Sequence, residues 1–221
     1  STFAKIIVGL FKPRSGNIYF NNKLINKTNI HNLKSSSGII FENPDNQFIG
    51  LTPQDDIAFG LENQCVEHDE MQSIINEVAS YVGITDLLKS DLTKLSGGQK
   101  QLVAIASVLA MNPEIIIFDE VNSMLDAQSR EKVNNVIKML KRQHKTIVYV
   151  THNMDETLQA DKIIVLNKGK IVLQGKPLDV FADPLNNLSI DKPFVLKLAK
   201  LLKLKPTDNL DKLVKEISHA K

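Results

Sequence analysis

Apolar residues recur along the chain with two different periods. Between Gly97 and Met111 a stripe through Leu102, Ile105, Ala106 and Leu109 has helical spacing, and Ser129 to Lys141 predicts a second amphipathic helix. Ile115-Ile116-Ile117-Phe118 and Thr146-Ile147-Val148-Tyr149-Val150 are instead continuous apolar runs, which predict strands buried on both faces of a parallel sheet. Gly38-Ile39-Ile40-Phe41 predicts another strand, ending in the polar loop Asn43-Pro44-Asp45-Asn46. Gly16 to Phe20 predicts a short strand followed by an Asn21-Asn22 turn. Ile6, Ile7, Leu10 and Phe11 share helical spacing, with Gly9 and Pro13 ending that helix. Pro53 to Gly83 reads as helices with a break near Cys65-Val66. Ile163 to Leu166 and Lys170 to Leu173 flank Asn167-Lys168-Gly169, the turn chemistry of a hairpin. Strands alternating with helices predict a parallel α/β core. After Pro177 the pattern is helical to the end. Leu210, Leu213, Val214 and Ile217 share one face there, suited either to packing on the domain or to lying on a membrane surface.

Composition narrows the field. The chain has 221 residues, 43% hydrophobic and 24% charged, enough for one sizeable domain with a small appendage. No run of about 18 apolar residues occurs, and no signal peptide is visible. A net charge of +2 gives no argument for nucleic acid by itself, and 5% aromatics with no tryptophan argue against base-stacking platforms. Cys65 is the single cysteine, which excludes an internal disulfide and fits a reducing cytoplasm. The chain opens on Ser1-Thr2-Phe3-Ala4 and enters a helical pattern at once, as an interior helix cut open would.

Candidate chemistry begins at Leu95-Ser96-Gly97-Gly98-Gln99. Ser96 stands where a helix N-cap belongs, and Gln99 three residues later completes a capping-box pattern. Two glycines let a ligand approach the backbone, and free N–H groups at a positive helix end favour a phosphate. Sixteen residues beyond Gln99, the run Ile115 to Phe118 delivers Asp119 and Glu120 to a strand's C-terminal end, where ligands bind in open α/β sheets. Asp119 suits Mg²⁺ binding, and Glu120 suits orienting or deprotonating a water. Ser123-Met124-Leu125-Asp126 follows, and His152 stands beyond the next apolar strand.

In order and spacing these segments resemble the ABC ATPase family across nearly the whole chain. Leu95 to Gln99 matches the family signature letter for letter, and Ile115 to Glu120 matches its Walker B strand with the catalytic glutamate. Ser123 to Asp126 resembles the D-loop, with Met124 where Ala is usual, and His152 matches the switch histidine. The resemblance implies a P-loop NTPase core with a parallel sheet, a helical signature subdomain at about 53–111, and a short helical C-terminal tail. The ATPase domain would run over 1–176 and the extension over 177–221.

Family members carry the P-loop G-x-x-x-x-G-K-S/T just before the first core helix. Ser1-Thr2 is similar to its tail, so Ser1 would ligand Mg²⁺ and the glycines and lysine would precede residue 1. The 221-residue chain by itself is then expected to bind ATP poorly and hydrolyse almost none. The family also implies that two ATPase domains face each other head to tail. Ser96, Gly97, Gly98 and Gln99 would then touch a partner's nucleotide, with Thr2, Glu42, Asp119 and Asp126 completing the nucleotide-binding set. Glu42 departs from the family, which has glutamine there. A charged oxygen would hold Mg²⁺ more strongly but repel phosphate, so the change is either tolerated or alters gating and rate.

Asn43 to Phe48, Asp55 to Asn63, and Leu188-Ser189-Ile190-Asp191-Lys192-Pro193-Phe194 are similar to the energy-coupling factor ATPases, which drive importers of vitamins or of cobalt and nickel. That likeness implies a second ABC ATPase, a paralogue or an identical chain, together with a transmembrane coupling subunit and substrate-binding membrane subunits. It places the chain on the cytoplasmic side of the cell membrane. The alternatives are the ATPase subunit of another ABC transporter class, or a soluble ABC ATPase outside transport. An ATPase serving DNA repair needs a long coiled coil, yet only about fifty residues without heptads separate Gln47 from Leu95. A translation factor of this family carries two tandem domains. A non-catalytic regulatory subunit is opposed by Glu120 and His152.

Overall fold

A computed structural model describes residues 1–123, 125–182 and 190–219. The chain divides into two compact units, Ser1–Val150 and Thr151–Lys221.

The first unit is built around three parallel strands, β3 (Ser37–Ile40), β4 (Ile115–Asp119) and β5 (Thr146–Val150), in the order β3-β4-β5. Central β4 is apolar on both sides because both sides are covered. Ile117 packs with Ala4 and Val8 of the α1 (Thr2–Ile7) segment, and Ile116 and Phe118 join the main core on the opposite face. That core is supplied by α3 (Pro53–Asn63), α4 (His68–Val82), α5 (Gly97–Ala110) and α6 (Ala127–Arg142). Ile105 of α5 and Val133 of α6 are fully excluded from solvent there. Short β1 (Tyr19–Phe20) and β2 (Lys23–Leu24) pair antiparallel across Asn21 and Asn22, both at positive φ as a two-residue hairpin turn demands. Helix α2 (Ile30–Ser35) leads into β3.

The second unit contains α7 (Met154–Thr157), the hairpin of β6 (Ile163–Asn167) and β7 (Lys170–Gly175), and α8 (Pro177–Ala182), α9 (Phe194–Leu201) and α10 (Leu210–His219). Lys168 and Gly169 turn the hairpin, both at positive φ. Leu213 of α10 is fully buried in a cluster with Leu158, Phe181, Val195, Leu196 and Ala199, and Ile217 packs against it. This favours the packed reading of the C-terminal helix, although Leu210 and Val214 stay exposed. Among the described residues no helix is long and apolar enough to cross a membrane.

Three expectations need correction. The run Thr146 to Val150 is only half-buried, because among the described strands β5 is an edge, whereas the near-identical run in β4 is central. Leu10 and Phe11 lie beyond α1, and both are about half exposed. Gly9 at φ +71° turns the chain away before they can extend the helical stripe. The segment after Pro177 is not helical throughout: residues 202–209 separate α9 from α10. Met124, Leu188 and Ser189, which enter the resemblance, lie outside the described residues.

Candidate functional site

Three chain segments meet at the C-terminal end of β4. Asp119, the last residue of the strand, is buried to 3% exposure, and Ser1 at the N-terminus of α1 donates its hydroxyl to Asp119 Oδ1 at 3.2 Å. A hydroxyl and a buried carboxylate this close could serve a Mg²⁺ ion, which keeps several waters and takes only one or two protein oxygens. Thr2 is exposed one residue further on. Glu42 enters from the loop after β3, where its Oε1 accepts a long 3.5 Å hydrogen bond from Ser123 Oγ. The structure thus pairs Ser1 with Asp119 and Ser123 with Glu42.

Glu120 adopts φ +55°, a left-handed conformation that costs a non-glycine residue about 1–3 kcal/mol. Two backbone bonds hold it there: Glu120 N–H donates to Val150 O at 2.9 Å, and Ser123 N–H donates to Glu120 O at 3.1 Å. This conformation turns the chain off the end of β4 and leaves Glu120 half-buried, next to the buried end of that strand. His152 lies two residues past β5 in the second unit and is exposed.

The signature segment folds as its pattern predicts. Ser96 Oγ accepts from Gln99 N–H at 3.3 Å and Gln99 Oε1 accepts from Ser96 N–H at 2.9 Å, a complete capping box. The two glycines differ. A Cβ at Gly97 would meet nothing within 4 Å, so its backbone faces open space. A Cβ at Gly98 would lie 2.4 Å from Ser129 Oγ and 3.0 Å from Ser129 Cβ. Glycine at 98 thus lets α5 approach Ser129 closely, a packing demand within the chain that the ligand-approach reading of both glycines did not include. Asp126 caps α6, accepting from Ser129 N–H at 2.8 Å and from Ser129 Oγ at 3.1 Å. The Ser129 N–H beside it holds its carboxyl below the usual carboxylate range.

Other polar residues tie the signature helix to the loop that carries Glu42. Buried Gln101 donates to Phe41 O at 3.0 Å, Gln47 donates to Ala104 O at 3.5 Å, and Lys100 pairs with Asp45 at 2.7 Å. Sequence reasoning did not find Lys100 or Gln101, because a polar residue inside a helix reads as solvated. A cavity of 410 Å³ among Gln54, Gln72, Asp86, Lys89 and their neighbours includes none of the site residues in its lining.

The ABC transporter family matches residues 1–123, the stretch that holds Ser1, Glu42, the capped signature helix and Asp119-Glu120. The chain belongs to the ABC transporter family. It is 50% identical over 201 residues to the energy-coupling factor transporter ATP-binding protein EcfA1 of Mycoplasma pneumoniae, covering 90% of this chain and 73% of that protein. It is 46% identical over 221 residues to the corresponding protein of Mycoplasma mobile, covering 98% and 81%. Among solved structures, cbiO1 from Clostridium perfringens, part of the ABC transporter complex cbiONQ, superimposes with a TM-score of 0.75 at 32% identity, over 92% of this chain and 82% of that one. This ABC chain is thus an ATP-binding ATPase of the kind found among energy-coupling factor transporters.

Proposed function

We propose that the chain powers an energy-coupling factor importer of vitamins or transition-metal ions by hydrolysing ATP. The observation that carries the chemistry is the junction at the end of β4, where a buried carboxylate, a hydroxyl and a strained glutamate lie within consecutive or hydrogen-bonded residues. Ser1, Asp119 and Glu42 would be the residues that hold Mg²⁺. That ion, when bound, neutralises charge on the terminal phosphates. Glu120 orients or deprotonates the attacking water, and His152 hydrogen-bonds the terminal phosphate. Ser96, Gly97, Gly98 and Gln99 offer a capped, uncharged helix start to the nucleotide of a second ABC ATPase, a paralogue or an identical chain, and Asp126 lies beside them. Thr2 completes the nucleotide set from α1.

In this reading residues 1–176 form the ATPase domain and 177–221 a helical extension. The chain sits peripherally on the cytoplasmic face of the cell membrane, on a transmembrane coupling subunit, with small substrate-binding membrane subunits beside it. Support for the transporter class comes from the named relatives, and the substrate is chosen elsewhere in the assembly. The test is recovery of the complete protein from native membranes in mild detergent, followed by mass spectrometry. A second ABC ATPase, a coupling protein and small membrane subunits are expected with it. Recovery only from the soluble fraction, without them, contradicts the transport reading.

A further inference from the structure

Asp55 and Asp56 sit side by side at the start of α3, yet they do different work. Asp55 is exposed and completes a capping box, accepting from Thr52 N–H at 3.1 Å. Asp56 is buried to 6% exposure and faces inward. Its Oδ1 accepts from Ile49 N–H at 2.9 Å and from Gly50 N–H at 3.2 Å, and its Oδ2 accepts from Ser107 Oγ at 2.6 Å. Ser107 Oγ also lies 3.2 Å from Val103 O, but its one proton favours the shorter, charge-assisted contact. A buried carboxylate is stable only when its oxygens are occupied in this way.

The residues so gripped belong to an exposed loop. Ile49 is 65% and Leu51 81% exposed, so apolar burial does not hold the loop in place. Hydrogen bonds do. Gly50 confirms how closely the loop is drawn in: a Cβ there would stand 2.4 Å from Asp56 N and 2.8 Å from Asp56 Cα, both backbone atoms. Leu51 O in turn accepts from Leu92 N–H at 3.0 Å, three residues before Leu95. The loop is therefore joined to the signature segment twice, in the last turn of α5 through Ser107 and ahead of the helix start through Leu92.

We propose that Asp56 is a positioning residue for the signature: it locks the loop Ile49–Leu51 onto α3 and α5, so that the loop and Ser96–Gln99 keep one fixed relation. The importance given to that relation rests on the role proposed above for Ser96–Gln99. The clamp itself rests on the geometry alone.

The experiment is hydrogen exchange on the complete protein and on its Asp56→Ala, Asp56→Asn and Ser107→Ala variants. Exchange should quicken by roughly tenfold in segment 49–51 and also in segment 95–100 for Asp56→Ala and Ser107→Ala, with the β3-β4-β5 amides unchanged. Asp56→Asn keeps one acceptor for the loop amides and should fall between. Should Asp56→Ala fail to fold, Ser107→Ala decides, because it removes only the link to α5. Faster exchange confined to 49–51, or none, overturns the proposal. ATP turnover of the same variants separates the two readings. A several-fold fall in kcat with KM for ATP within about twofold supports both. The expected exchange pattern with unchanged kcat keeps the clamp and contradicts the role given to the signature.

Discussion

Helices α5 and α6 begin next to each other, and each is capped by its own side chains, but the caps differ in charge. Helix α6 starts under Asp126, whose carboxylate takes both the N–H and the hydroxyl of Ser129. The positive end of that helix is compensated from within the chain. Helix α5 starts under Ser96 and Gln99, both neutral, and no acidic residue occupies its first turn. Its cap uses the Gln99 N–H, leaving the amides of Gly97 and Gly98 to other partners. The two helix starts thus differ in what caps them, a carboxylate at α6 and neutral side chains at α5, although Asp126 Oδ2 stands only 3.4 Å from where a Cβ of Gly98 would lie.

The comparison breaks most severely if α5 is made like α6. Ser96→Asp preserves a good N-cap but places a carboxylate where phosphate would bind. In the assembled protein the melting temperature should hold, while kcat for ATP falls by about tenfold or more. The glycines sharpen the contrast at a smaller scale. Gly98→Ala forces Ser129 and the start of α6 to move, at an expected loss of about 1–3 kcal/mol in chemical denaturation. Gly97→Ala meets nothing and should be neutral, or stabilising by up to about 1 kcal/mol through helix propensity. The smallest effect is the pH dependence of the α6 cap. Because Asp126 has a lowered pKa when folded, its contribution is present above the unfolded carboxylate value of about 4 and is lost as pH falls through the lower folded value. Asp126→Asn should flatten that small acid limb of the melting temperature, read by thermal scans at closely spaced pH.

Much of this was legible because it is local. The capping box at Ser96 and Gln99 is a pattern of four residues, and the strand-to-acid junction at Phe118-Asp119-Glu120 is a pattern of three. The Asn21-Asn22 and Lys168-Gly169 turns announce their positive φ by composition. What escaped depends on position in three dimensions. Val148 and Ile117 stand in apolar runs of the same character, and only sheet order distinguishes the edge strand from the central one. Asp55 and Asp56 are identical neighbours at a helix start, and only the approach of the Ile49-Gly50 amides and of Ser107 from α5 separates a surface cap from a buried clamp. Gly98 was read for a ligand, and its close approach to Ser129, 31 positions away, is a second demand that the sequence did not show.

The central claim is that Glu120, held in its strained turn after β4, serves the water that attacks ATP. The most direct measurement is single-turnover ATP hydrolysis by the complete protein beside its Glu120→Gln variant, with nucleotide binding followed in parallel. Binding should be retained and the hydrolytic rate should fall by about 10²-fold or more, leaving an ATP-bound dimer. Undiminished hydrolysis by Glu120→Gln contradicts the account.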